Sequence, residues 1–146
     1  MAMKDEEMVA RVLTSFPLFM HKVFHDFKPD TGDYELNRTQ IKVLMIIHTG
    51  NKPNMTHVCH RMNMEKGSLT PVIDTLIEMG LVKRTRNRDD RRKVNLSLTG
   101  TGNSLVIRNL EKAHEHLLAK LGHLPEKLVA RFKRAVLDIY ETAQKL

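Results

Sequence analysis

Seven cations crowd eleven consecutive residues of this chain: Lys83, Arg84, Arg86, Arg88, Arg91, Arg92 and Lys93, with Asp89 and Asp90 the carboxylates among them. The net of +5 over that run is most of the +7 carried by all 146 residues. The chemistry open to such a run is electrostatic, because ammonium and guanidinium groups neutralise phosphates and an Arg fork pairs with base edges. A charge run alone is commonly just a solvated face. Its neighbour gives this one more meaning. Immediately upstream, Lys66, Ser68, Thr70, Pro71, Asp74 and Thr75 interleave with Leu69, Val72, Ile73 and Leu76. The apolar set recurs at i, i+3, i+4 and i+7, one buried face of a helix, which leaves the small polar set outward. A polar-faced helix beside a basic ribbon is the constellation of a double-stranded DNA reader, the helix in a groove and the ribbon on its flank.

Other chemistries find less support. No phosphate-cradling glycine loop, nucleophile elbow or paired buried carboxylates can be read from the sequence, and Gly100-Thr101-Gly102 is too short for the first of these. No enzyme and no cofactor are expected. Among eight histidines, His21 with His25 and His57 with His60 have spacings that turn two imidazoles one way, but two ligands do not make a metal site, and none is assigned. Cys59, the single cysteine, excludes an internal disulfide and points to a reducing cytoplasm.

The elements that must position the cations follow from local signals. Gly80 ends the reading helix as a left-handed C′ residue, and Pro71 places the helix start near Ser68, where a missing N–H in the first turn costs no intrahelical bond. Residues 81–86 and 93–98 read as a two-stranded hairpin, with Val94, Leu96 and Leu98 inward and Asn95 and Ser97 outward. Asn37 and Gln40 form a capping box, with Leu36 set for a hydrophobic staple, and open a helix running to about Thr49. The Gly50-Asn51-Lys52-Pro53 break follows, and Asn54 caps the next helix, with Val58 and Met62 inward and Cys59 beside them. Thr99 caps a long helix from about Thr101 to Gly122, its first turn weakened by Gly100 and Gly102.

Two terminal helices are more apolar than such a head requires. One spans about Asp5 to Phe27 with four Phe, and Pro17 is expected to bend or split it. The other starts with Pro125 at N1 and carries Leu128, Val129, Phe132, Val136, Ile139, Tyr140 and Ala143 as one stripe. A helical dimer interface is the natural use of both.

Three motifs resemble the multiple-antibiotic-resistance regulator (MarR) family of winged helix-turn-helix repressors. They are the run from Gly67 to Leu76, the stop Glu78-Met79-Gly80-Leu81-Val82, and the segment from Asp90 to Thr99. The resemblance implies a mainly α fold over the whole chain: a head at 35–100 with a hairpin wing, and a dimerisation region at 1–34 and 101–146. It also implies a homodimer on a palindromic operator, a small-molecule inducer in the crevice between head and dimerisation helices, and an Asp90 that orients Arg92 into a minor groove. The Leu69-Thr70-Pro71 run is most similar to the organic-hydroperoxide-sensing branch, whose reactive cysteine lies in the first helix. This chain has none there, and Cys59 matches a position usually held by Ala, so a buried helix-packing role is expected of it ahead of a reactive thiol, a reading that the adjacent His60 and Arg61 keep open.

The candidate DNA-binding residues are therefore Lys66, Ser68, Thr70, Pro71, Thr75, Arg84, Arg86, Arg88, Asp90, Arg91 and Arg92. A pI near 9.7 fits an anionic partner. A membrane is not expected, because no run approaches the ~18 apolar residues of a spanning helix, nor is there a charged-then-apolar signal segment. Two alternatives to a sequence-specific regulator stay open at this level: a winged helix that docks on an acidic protein surface, and a non-specific nucleic-acid coat.

Overall fold

The computed structural model describes residues 5–87 and 93–145, so Arg88, Asp90, Arg91 and Arg92 lie outside the described residues. Six helices and one hairpin are described: α1 (Asp5–Phe24), α2 (Arg38–Thr49), α3 (Met55–Met62), α4 (Lys66–Glu78), β1 (Val82–Arg86), β2 (Val94–Leu98), α5 (Gly100–Leu121) and α6 (Glu126–Ala143). The protein is mainly helical, as expected. Two compact units are present: Pro29–Lys112, and the segments up to Lys28 and from Ala113 on.

In the first unit, local chemistry sets the helix boundaries. Gln40 N–H donates to Asn37 Oδ1 and Asn37 N–H to Gln40 Oε1, both at 2.9 Å, completing the capping box of α2. His57 N–H donates to Asn54 Oδ1 at 2.8 Å and opens α3. Gly80, at φ +70, donates to Ile77 O at 2.9 Å, and Leu81 N–H reaches back to Leu76 O at 3.0 Å. That is the Schellman pair, with Leu76 and Leu81 both fully buried as its apolar contact. The core joins Val43, Leu44 and Ile47 of α2, Val58 of α3, Leu69, Ile73 and Leu76 of α4, Leu96 of β2, and Leu105 and Val106 of α5.

Two glycines and one asparagine show how α5 is seated. Thr99 Oγ1 accepts from Gly102 N–H at 3.0 Å and donates to Gly80 O at 2.6 Å, so one hydroxyl caps α5 and holds the end of α4. A Cβ on Gly102 would lie 2.1 Å from Leu81 O. Expected only as a weakness, Gly102 is what allows the backbone of α5 to reach this carbonyl. Further along, Asn109 Oδ1 accepts from Asp30 N–H at 2.8 Å while its Nδ2 donates to Asp30 O at 2.6 Å, pinning the 29–34 loop to α5. The Asp30 carboxylate meets Lys112 Nζ at 2.8 Å and Arg108 Nε at 3.3 Å. Its pKa is lowered below the ordinary value, first by the Lys112 hydrogen bond and then by the Gly32 N–H.

The second unit holds α1, the later part of α5, and α6. Phe19 and Phe132 approach to 5.6 Å between ring centroids, His116 Nε2 donates to Val23 O at 2.7 Å, and Lys120 Nζ meets Asp26 Oδ2 at 2.7 Å. Pro17 does not split α1, which runs unbroken to Phe24 rather than Phe27. The ring removes one N–H, while the turns on either side keep theirs, so the helix continues through it. It stops where Phe27 N–H bonds Phe24 O in a tighter turn. Pro125 sits at the N-cap of α6, one residue before the expected N1, with an extended ψ of 138°. No α6 side chain is buried within the chain, and Leu13 of α1 and Ile139 and Tyr140 of α6 are 67%, 58% and 62% exposed. None of the described helices is long and apolar enough to cross a membrane.

Candidate nucleic-acid interface

The reading helix begins earlier than Pro71 suggests. Glu65 O accepts from both Ser68 N–H and Leu69 N–H at 3.1 Å, so α4 starts at Lys66 and Pro71 lies inside it, beyond the first turn. The correction has a plain cause. Pro71 cannot donate to Gly67 O, but a single lost bond is outweighed when Leu69, Ile73 and Leu76 are all fully buried by keeping the helix in register. The N-terminus of α4 has no side-chain cap.

The polar face of α4 is outward. Lys66, Ser68 and Pro71 are exposed; Thr70, Asp74 and Thr75 are half-buried. Thr70 Oγ1 donates to Lys66 O at 2.8 Å and Thr75 Oγ1 to Pro71 O at 2.9 Å. With their protons engaged in the helix, both hydroxyls offer lone pairs to a partner, which suits donors such as base amino groups better than phosphates.

The hairpin pairs antiparallel in the register Val82↔Leu98, Lys83↔Ser97, Arg84↔Leu96, Thr85↔Asn95 and Arg86↔Val94. Directly opposed residues share a face. Arg84 and the fully buried Leu96 therefore turn toward α4, where the Arg84 guanidinium donates to Asp74 Oδ1 at 2.7 Å. Lys83, Thr85, Asn95 and Ser97 line the opposite face. On the α4 side, Lys66, Thr70, Arg84 and Lys93, together with Asn54 and Thr56 of the α3 start, surround an open hollow of about 390 Å³.

The structure thus brings Lys66, Thr70 and Arg84 of the expected set around one hollow, and keeps Ser68, Pro71 and Thr75 on the exposed side of α4. Arg86 stands at the exposed end of β1, on the same face of the strand as Arg84 by alternation, and from that end it also borders a second hollow. Sequence reasoning left Asn54 and Thr56 out of the candidate set and counted Lys93 only in the basic run, whereas all three border the hollow. Asn54 was visible only as a cap, and nothing local says that the start of α3 faces the hairpin. Cys59 is half-buried against the core rather than fully buried. His21 and His25 stack 5.6 Å apart, and no group of three or more metal-ligating side chains occurs among the described residues.

Helices α2, α3 and α4 followed by a two-stranded hairpin define a winged helix-turn-helix. Residues 36–94 match the MarR family. The regulator SarZ of Staphylococcus aureus (strain MRSA252) is 36% identical over 73 residues, covering 50% of this chain and 49% of its own. SarZ of Staphylococcus haemolyticus (strain JCSC1435) is 32% identical over 69 residues, 47% of each chain. The chain therefore spans about half the length of the curated relatives it matches. Similarity of fold extends further. RV1404 from Mycobacterium tuberculosis superposes with a TM-score of 0.70 at 17% identity, covering 98% of this chain and 97% of that one. Apo MarR from E. coli gives 0.60 at 17% identity, covering 95% and 98%. The likeness to the MarR family thus lies in residues 36–94, while the likeness of fold runs over nearly the whole chain.

Proposed function

We propose that the protein is a sequence-specific, double-stranded DNA-binding transcription regulator. One observation carries the reading: the hollow where Lys66 and Thr70 of α4 meet Arg84 and Lys93 of the hairpin makes the polar helix face and the basic ribbon one surface. On it α4 enters the major groove, with Lys66, Ser68, Thr70, Pro71 and Thr75 against bases and backbone, while Arg84 and Arg86 approach the flanking phosphates. Arg88, Asp90, Arg91 and Arg92, outside the described residues, form the tip that reaches the adjacent minor groove, Asp90 orienting Arg92.

The protein acts as a cytoplasmic homodimer. The exposed apolar residues of α1 and α6 support a self-interface, and two-fold pairing gives an imperfectly palindromic operator. In this reading it is a repressor released by a small-molecule inducer. The SarZ relatives, named as transcriptional regulators, support the regulatory assignment.

Selection of duplexes from a random library by the purified chain tests the proposal. Two related half-sites about one turn, ~10 bp, apart are expected, bound at least ~10³-fold more tightly than mixed-sequence DNA. Equal affinity for every duplex would refute it.

A further inference from the structure

The wing has a second basic face. Lys52 and Lys83, with Arg86 at the strand end, border an open hollow of about 490 Å³ on the side of the hairpin turned away from α4, which Thr85, Asn95 and Ser97 also line. On the inner side one cation is already paired with a carboxylate, while Lys66 has no such partner among the described residues. Arg84 is paired with Asp74, whereas no carboxylate of the described residues lies within ion-pair distance of Lys52, Lys83 or Arg86.

Lys52 arrives there by a specific backbone device. Pro53 O accepts from Leu96 N–H at 2.8 Å and Asn54 bridges Asn95, so the loop after α2 is fastened to β2 by a single β-bridge. Just before that bridge the chain turns sharply: Lys52 N–H donates to Gly50 O at 3.0 Å, and Lys52 sits at φ +52. Left-handed backbone is unfavourable for a lysine, and Asn or Gly would suit it better. At this strained position the chain carries a cation with no ion-pair partner among the described residues, near Lys83 and Arg86, a coincidence that favours a use for the charge. The hydroxyl of Ser97 is buried without a hydrogen-bond partner among the described residues, a further polar group that the fold leaves unused.

We infer that this outer face binds a backbone phosphate of the DNA strand on the far side of the minor groove from α4. The inference rests on the DNA-binding reading above and adds to it a strand assignment. A hairpin whose tip enters a minor groove has one sugar-phosphate strand along each face. The inner hollow, continuous with α4, meets the strand bordering the major groove that α4 occupies. The outer hollow meets the other strand, where Lys52 and Lys83 act as point charges on a phosphodiester and read no base.

The test uses the full chain and two duplexes, one selected by the wild type and one of mixed sequence, with affinity measured across a salt series. Lys52→Asn keeps a residue that tolerates positive φ, and Lys83→Gln changes an exposed strand position, so both variants retain the fold. In the double variant the log-affinity versus log-salt slope should become shallower by about 0.9 per lysine in each bound head. Affinity for both duplexes should fall by the same factor, and Lys83→Arg should keep the wild-type slope. Should the double variant unfold, Lys83→Gln alone must make the slope shallower by about 0.9 in each bound head. An unchanged slope, with Lys66→Gln still lowering it, overturns the outer-face assignment and leaves the DNA reading standing. Affinity lost for the selected duplex alone at unchanged slope overturns it too, since the residues would then be reading bases. Failure of the wild type to retain either duplex overturns both readings.

Discussion

Asp74 on the outward face of α4 accepts a 2.7 Å hydrogen bond from the guanidinium of Arg84 on β1, joining the reading helix to the hairpin by a charged contact at the surface. A carboxylate on a face that meets phosphates is unfavourable by itself. Here it sets the direction of an arginine whose rotamers would otherwise be free, and it cancels that arginine's charge.

Asp74→Asn should therefore raise affinity for mixed-sequence DNA and lower the ratio of selected to mixed-sequence binding several-fold. Both side chains are more than two-fifths exposed, so stability should change by less than about 1 kcal/mol. Parallel affinity and urea-unfolding measurements check this, and an unchanged ratio would mean that Asp74 does not position Arg84.

The first turn of α5 offers a paired test. Gly102→Ala places a methyl group against Leu81 O and should destabilise the head by about 1–3 kcal/mol. Gly100→Ala, where a Cβ meets nothing within 4 Å, should be neutral or stabilise by up to ~1 kcal/mol. Equal effects in thermal unfolding would remove the close-approach explanation.

Asp30 predicts an acid limb to stability. Its folded pKa is lowered, chiefly by the Lys112 hydrogen bond, so its contribution is complete above the ordinary carboxylate value, about pH 4. It is lost as pH falls through the lowered value, because the folded state then has to take up a proton it binds weakly. Urea midpoints of wild type and Asp30→Asn should differ near neutrality and converge in acid. A pH-independent difference would assign the effect to the Asp30–Asn109 backbone contacts instead.

Self-association through α1 and α6 can be tested without removing either helix. Leu13→Glu combined with Ile139→Glu places charge on two well-exposed apolar positions, so helix content should persist while light scattering shifts from dimer to monomer. A variant that stays dimeric would move the self-interface elsewhere.

Much of the head was legible because its signals are local. A capping box spans four residues, a Schellman stop is written by Gly80 and the leucines beside it, and the burial of Leu69, Ile73 and Leu76 follows from a 3.6-residue period. Pro71 misled for the same reason: the local rule counts one lost hydrogen bond and cannot weigh it against three side chains seated in the core.

What depended on tertiary structure involves residues brought together from separate segments. Pro53 O finds Leu96 N–H 43 positions away and carries Lys52 to the outer face of the hairpin; Leu81 O presses on Gly102; Arg84 meets Asp74; the backbone of Asp30 is read by Asn109, 79 positions on. The sequence alone determined the periods, caps and turns, and with them the helix-turn-helix and its basic ribbon, because backbone sterics and near-neighbour hydrogen bonds act within a few residues. Which cations face α4 and which face away was decided only by the fold, because strand parity, loop docking and the close approach of carbonyl to glycine take effect once the core has brought those segments into contact.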